Sequence, residues 1–349
     1  MTSNKITRAF TGLPLLAFSI GCFTCMGRED ALRLGEQILP TGRISWDFVD
    51  IPIVQTFYGV GFVDKLFWGI CIAFGPSAFG VDPVAWYQMF SFLLDVSLLY
   101  MIWMIESYKP VNLRTPSYLP VLFGFSMQLF SAGVVAPVYF YLHYVTSTPD
   151  TLRRPQLHEL DAPSNRFLIL TISIFSYIPI IMMYWGSTIS IRYWWVWFWQ
   201  LFPIWFGLSQ IILSYINTGK TNLVKNSQAA QFAIKIFAVI SGMAWLYVNL
   251  TSPYSPMTLY YPKAIEQPTF PQAMRRALQA DQVFSFGAGF VWLLYLIGDM
   301  KNAGLVDRSW SSLLARGAAI FVLAGPGTLL AVAWLWRNGI LTRQKSSTS

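Results

Sequence analysis

Two carboxyl groups stand out because of where they lie. Asp95 ends the run Phe92-Leu93-Leu94-Asp95, and Glu106 ends Met101-Ile102-Trp103-Met104-Ile105-Glu106, eleven residues further along the same apolar segment. On a helix that spacing puts both on nearly one face, about 16 Å apart along the axis. An ionisable residue inside a membrane span is costly and therefore informative. A carboxyl group held neutral by an apolar surround can donate a proton near neutral pH, and a second one can orient or reload it. Asp95 and Glu106 are therefore the candidate acid pair. Asp64, just ahead of Lys65-Leu66-Phe67-Trp68, is the next candidate for proton donation or network support. Plainer readings stand beside these. Asp95 could pair with Lys235, the one basic residue clearly within a span, and Glu106 could be a solvated helix end beside Lys109.

Asp281 and Asp299 form a second tier of acids, eighteen residues apart and bracketing another apolar segment. Interfacial capping explains both, and Asp281 reads as a helix-start acid favoured by the macrodipole. His143 reads as a satisfied interfacial histidine. Trp68, Trp103 and Trp205 are candidates for an aromatic wall that stabilises a cation, at about 0.5–2 kcal/mol per ring. The competing account is the aromatic belt at the membrane surface, which suits Trp194 and Trp195.

Several chemistries are missing. With only His143 and His158, the chain cannot build histidine clusters or paired haem ligands. It has no P-loop, no H-E-x-x-H, no G-x-S-x-G and no Gly-rich dinucleotide fingerprint. Asp47-Phe48-Val49-Asp50 is a lone D-x-x-D, and the D-x-D-D acid motif is absent. Cys22, Cys25 and Cys71 are an odd set in apolar stretches, so no disulfide framework is implied. No metal and no cofactor is expected.

The elements that must position these groups follow from composition. Hydrophobic residues make up 55% of the 349 and charged ones 11%, against a charged share of roughly 25% in soluble proteins. The expectation is an all-α, polytopic membrane bundle of eight or nine helices in a single domain spanning 1–349. The net charge of +8 is scattered between apolar runs, with no basic stripe for nucleic acid. A retained anchor is expected over 9–26, a polar loop over 27–56, a helical core over 57–336 and a polar tail over 337–349. Within the core the apolar runs are 57–79, 86–105, 119–145, 167–185, 193–216, 229–250, 283–297 and 313–336. Lysine and arginine are too evenly shared between alternate loops to fix orientation. No internal repeat points to the inverted halves of a transporter.

One part of the chain carries a family likeness. Asp64-Lys65-Leu66-Phe67-Trp68-Gly69, the turn from Gly75-Pro76-Ser77 to Asp82-Pro83, and Gln88 to Asp95 through Trp103-Met104-Ile105-Glu106-Ser107 resemble fungal integral-membrane terpene cyclases of meroterpenoid biosynthesis. The likeness is to the longer kind, from pathways such as ascochlorin, ascofuranone and macrophorin. It implies a class II, diphosphate-independent cyclisation of isomerase or lyase type. A terminal epoxide or olefin of a farnesyl-type meroterpenoid would be protonated and the polyene would close on the cation. The implied partners are a hydrophobic substrate and a bilayer, in the endoplasmic reticulum or another endomembrane, with no nucleic acid and no obligate protein partner. The rivals are a small-molecule transporter or receptor using the same acids, and a purely structural membrane protein.

Overall fold

Apolar runs, closed off by proline and glycine turns, become the helices of this chain. The computed structural model describes residues 5–38, 40–46, 49–159, 163–216, 223–263 and 265–343. Asp47 and Phe48 of the D-x-x-D, and the polar tail beyond 343, lie outside these residues.

Helix α1 covers Lys5–Cys25 and α2 covers Arg28–Ile38. A short antiparallel hairpin follows, β1 Arg43–Trp46 paired with β2 Val49–Pro52 and registered Ile44 to Ile51. Next come α3 (Gly61–Ala78), α4 (Pro83–Ser107), α5 (Pro120–Phe130) and α6 (Ala132–Thr146). Helices α7 (Leu168–Ile172) and α8 (Ile178–Trp185) are joined by a π-helical turn over Ser173–Tyr177. Helices α9 (Ile189–Gln200), α10 (Phe202–Ile216), α11 (Leu223–Thr251), α12 (Pro256–Tyr260), α13 (Phe270–Asn302) and α14 (Trp310–Arg343) complete the chain. The architecture is mostly helical, as composition implied. The stretch expected as a polar loop over 27–56 instead holds α2 and the hairpin, with Arg43 and Asp50 paired across its strands at 2.6 Å.

Helix α4 is the axis of the bundle. Asp82 caps it, accepting the backbone N–H groups of Val84 at 3.0 Å and Ala85 at 3.2 Å, and Pro83 fits the first helical position. From Phe92 to Glu106 every residue is buried. A helix apolar on all sides belongs at the centre of a packed bundle, and α3, α11, α13 and α14 all pack against it.

Several expected spans are broken. The run 119–145 divides at Ser131, whose φ of 87° stops α5 and starts α6. The run 193–216 bends by 58° between α9 and α10. The run 283–297 is only the apolar middle of α13, which starts at Phe270 and is 33 residues long. Its polar first turns bind neighbours instead of ending the helix. Arg276 donates to the Cys25 carbonyl at 2.7 Å, Gln279 to the Leu259 carbonyl at 2.7 Å, and Gln88 donates to Gln282 at 2.9 Å.

The run 313–336 folds back on itself. At Gly325, φ is 81° and ψ is 176°, and Pro326 follows. A Cβ on Gly317 would lie 3.7 Å from Leu329, and Leu313 packs with the cluster containing Leu341. In a straight helix residues 317 and 329 would be about 18 Å apart. Helix α14 is therefore a hairpin of two arms, 310–324 and 326–343, with Gly325-Pro326-Gly327 at its tip. Six described segments are long and apolar enough to cross a membrane, counting α7–α8 as one and α14 over its full length, or seven if α9 and α10 count as one bent span, and α3 is not among them.

Candidate functional site

Asp95 projects from α4 to the tip of the α14 hairpin. Breaking a helix exposes the backbone N–H groups that begin its second arm, and those groups need acceptors. Asp95 faces the first of them, its carboxyl group lying against Gly327. Ser241 of α11 donates to Asp95 Oδ1 at 2.5 Å. Thr328 donates to the Ala238 carbonyl at 2.8 Å and so ties the same tip to α11. Only glycine fits at 327, because a Cβ there would collide with the Asp95 carboxyl group and lie 2.8 Å from Ser241 Oγ.

The second oxygen of Asp95 is different. Oδ2 is buried and has no hydrogen-bond partner among the described residues, in a residue 1% exposed. No cation answers this acid among the described ion pairs, and Lys235 is exposed rather than turned toward it. Around it stand Tyr177, whose hydroxyl donates to the Leu94 carbonyl at 3.2 Å, and Trp245, which packs against Gly325 and stacks on Tyr260 with centroids 4.9 Å apart. A desolvated carboxyl group with one free oxygen and only neutral dipoles about it can hold or release a proton there.

Glu106 has the opposite surroundings. It is 1% exposed, not a solvated helix end. It accepts from Lys109 Nζ at 2.7 Å, Asn112 Nδ2 at 3.0 Å and Trp334 Nε1 at 2.6 Å. Arg337 Nη1 lies 3.5 Å away and His143 Nε2 lies 3.6 Å away. Trp292 Nε1 donates to His143 Nδ1 at 3.1 Å, which makes Nδ1 an acceptor and places the ring proton on Nε2, facing Glu106. Helix α4 stops at Ser107, and the turn over Pro110–Asn112 that follows brings Lys109 and Asn112 back to the carboxylate. Burial pushes the Lys109 ammonium down to about 8, with the Glu106 carboxylate opposing. His158 at the rim is held down to about 4, first by burial and then by the Arg337 and Lys109 charges. Trp103 stacks on Tyr139 at 4.1 Å beside this cluster.

The two acids share α4 but no partner, so the structure does not join them into one proton relay. Asp64 sits at the start of α3, where it accepts the backbone N–H groups of Phe57 and Tyr58, each at 2.7 Å. Those amides, Tyr58 foremost, hold its carboxyl below the usual range. Asp281 lies inside α13, not at its start, and its carboxylate caps a different helix by accepting from Ser131 Oγ and from the Gly133 N–H at 2.9 Å. Asp299 is bidentate with Arg8 at 3.0 and 2.8 Å, and Arg8 also covers the Tyr144 ring at 3.9 Å. Trp205 stacks on Phe198, while Trp68 packs against the main core. Sequence reading passed over Ser241, Gly327, Trp334 and Arg337. The Gly-Pro-Gly run was the one available signal, because it marks a break inside an apolar segment.

Comparison with known proteins gives the lineage. The profile of the CtvD domain matches residues 13–342. The chain belongs to the CtvD-domain family. It is 28% identical to the FAD-dependent monooxygenase verC1 of Penicillium polonicum over 98% of this chain and 44% of that protein. It is 22% identical to the FAD-dependent monooxygenase anuJ of Penicillium roqueforti over 97% of this chain and 41% of that protein. It is 28% identical to the FAD-dependent monooxygenase BOA8 of Botryotinia fuckeliana over 70% of this chain and 33% of that protein. The chain thus spans less than half the length of these curated relatives. No solved structure matches it.

These findings correct the functional expectation. The CtvD domain and its monooxygenase relatives replace the likeness to terpene cyclases, and with it the isomerase or lyase reaction. They lend nothing to a transporter or receptor either. The stretch that carried the likeness, around Asp64 and from Gln88 to Ser107, is an apolar helical region with sparse acids, a pattern that different membrane families share.

The relatives' names imply FAD, and the described residues do not fit it. A dinucleotide site needs a strand, a glycine turn and a helix N-terminus whose free N–H groups take the diphosphate. Among the described residues the strands form one two-stranded antiparallel hairpin. Gly59-Val60-Gly61 does open α3, but no strand leads into it, and the Asp64 carboxylate lies beside it, taking the amides of Phe57 and Tyr58 just ahead of the turn. Gly325-Pro326-Gly327 opens the second arm of α14, and the Asp95 carboxyl group lies against it. At both places a carboxylate beside the turn would repel a diphosphate.

Proposed function

We propose that this CtvD-domain chain serves flavin-dependent oxygenation of an apolar secondary metabolite as its membrane-embedded, substrate-handling part. The flavin chemistry belongs to protein outside the region matched here. The chain's own contribution is to hold the metabolite in the helical bundle, exclude water and move a proton at Asp95 Oδ2. The observation that carries this reading is the desolvated oxygen of Asp95 with no partner among the described residues, in a chain whose described strands form only a two-stranded hairpin.

In this reading the six long apolar segments and the bent α9–α10 pair lie in the bilayer, with α14 entering and returning on one side. Glu106, with Lys109 and Arg337, serves as an anchor at the end of α4, where it fixes the second arm of α14 and therefore the tip that meets Asp95. Asp95 is the acid and Ser241 orients it. An apolar metabolite oxidised by a flavoprotein carries a new oxygen atom, and that oxygen is the group a buried carboxyl group can protonate.

The test has two parts. Purified in detergent, the full chain should show no flavin absorbance, even after incubation with FAD. A host expressing the chain together with its flavin monooxygenase should convert the oxygenated intermediate with the wild-type chain, and should accumulate it with Asp95→Asn. Stoichiometric flavin in the purified chain would overturn the reading.

A further inference from the structure

A second feature of the α14 hairpin has no part in that chemistry. Its two arms do not close on each other along their whole length, and with α13 they form a cleft of about 760 Å³. The walls include Leu293, Ile297, Phe321, Leu329 and Trp336, and the only charged residues that line it are Arg308 and Arg316. Both arginines are exposed, and the ion pairs of the described residues leave both guanidinium groups out. Arg308 is fixed through its backbone, because its carbonyl accepts from Lys301 Nζ. Phe321, Val322 and Leu323 at the far end of the first arm are exposed apolar side chains.

This distribution has a direction. The apolar walls offer no polar group to a buried ligand head, so the body of an occupant must be a hydrocarbon chain. Arg308 lies in the loop ahead of the first arm and Arg316 near the arm's middle, and the loop end also carries the Arg8–Asp299 pair and the Glu106–Arg337 contact. Guanidinium groups bind phosphate oxygens in a fork and keep their charge at all relevant pH. Arg316 is about 9 Å along the arm from Trp310 by helical rise, close enough for its long stem to reach back to the interface. A neutral metabolite would leave both arginines without a partner, and so would a second copy of this apolar arm.

We propose that this cleft holds an acyl chain of an anionic phospholipid, with Arg308 and Arg316 on its phosphate. The inference rests on the membrane reading above but not on the proton chemistry at Asp95. The occupied cleft would brace the first arm from outside, while α11 and Asp95 hold the tip from inside.

The experiment uses the full chain in neutral detergent, with phosphatidylglycerol, phosphatidylcholine or inorganic phosphate added separately. Phosphatidylglycerol should raise the thermal unfolding midpoint and stay bound through washing, and the other two should do much less. Arg308→Ala with Arg316→Ala should weaken phosphatidylglycerol retention about tenfold or more, as two charge-assisted contacts are lost. Gly317→Phe, placed where a Cβ meets only Leu329 at 3.7 Å, should fill the cleft and reduce retention with both arginines intact. Equal retention of the two lipids, an unchanged double variant, or the same shift from inorganic phosphate alone would overturn the proposal. Vesicle flotation separates the two readings. A chain that fails to float contradicts the membrane reading, whereas one that floats without selecting the anionic lipid contradicts only the cleft assignment.

Discussion

Asp95 and Glu106 lie on the same helix, equally buried, yet Asp95 faces only neutral dipoles and Glu106 faces two buried cations. The difference lies in their neighbours. Glu106 accepts from Lys109, Asn112 and Trp334 and has the Arg337 and His143 side chains within 4 Å, so it sits in a fixed cluster between buried cations. Asp95 has one oxygen held by Ser241 and packed against Gly327, and one without a hydrogen bond among the described residues. One apolar helix therefore carries an acid set among cations and an acid set among neutral groups, and residues from distant parts of the chain make the difference.

The largest effect should come from breaking the anchor. Glu106→Gln leaves Lys109 and Arg337 buried without a counter-charge, and unfolding in detergent should show a loss of about 3–5 kcal/mol. A loss below about 1 kcal/mol would mean that the cluster does not hold the bundle. Gly327→Ala comes next, at about 1–3 kcal/mol, because its Cβ must push the Asp95 carboxyl group and Ser241 aside. Gly339→Ala, with nothing within 4 Å of its Cβ, is the control, and should be neutral or stabilising by up to about 1 kcal/mol. Should both glycines respond alike, the close approach of the hairpin tip to Asp95 is not what constrains position 327.

The smallest effect concerns the rim of the Glu106 cluster. His158 is held down to about 4 from 6.5, so the unfolded chain takes up a proton before the folded chain does. Stability attributable to this residue is therefore present above about 6.5, falls as pH drops from there to about 4, and changes no further below that. The difference between wild-type and His158→Gln unfolding curves across that window isolates it. A flat difference would remove His158 from the buried surface of the cluster.

The helical class and both central acids were legible in the sequence, and for one reason. Charge is so scarce that an acid inside an apolar run is conspicuous. Their partners were hidden because they come from far away in the chain. Trp334 and Arg337 reach Glu106 across more than 200 residues, and Ser241 reaches Asp95 across 146. The breaks were hidden as well. Ser131 and Gly325 interrupt runs whose hydropathy is continuous, since hydropathy measures transfer from water and carries no record of backbone direction. Asp281 misled in a third way. Its position suggested the start of its own helix, while the helix it caps is α6. The family likeness read around Asp64 and α4 failed on similar ground, because apolar helices with one or two acids recur in unrelated membrane proteins.

The most direct test of this account is conversion of the oxygenated intermediate by Asp95→Asn, measured beside the variant's unfolding midpoint. Asparagine keeps an oxygen for Ser241 and loses only the exchangeable proton. The account predicts a fall in turnover of about 100-fold or more, the scale of general acid catalysis, with stability within about 1 kcal/mol of wild type. Full turnover in a stably folded Asp95→Asn chain would contradict it.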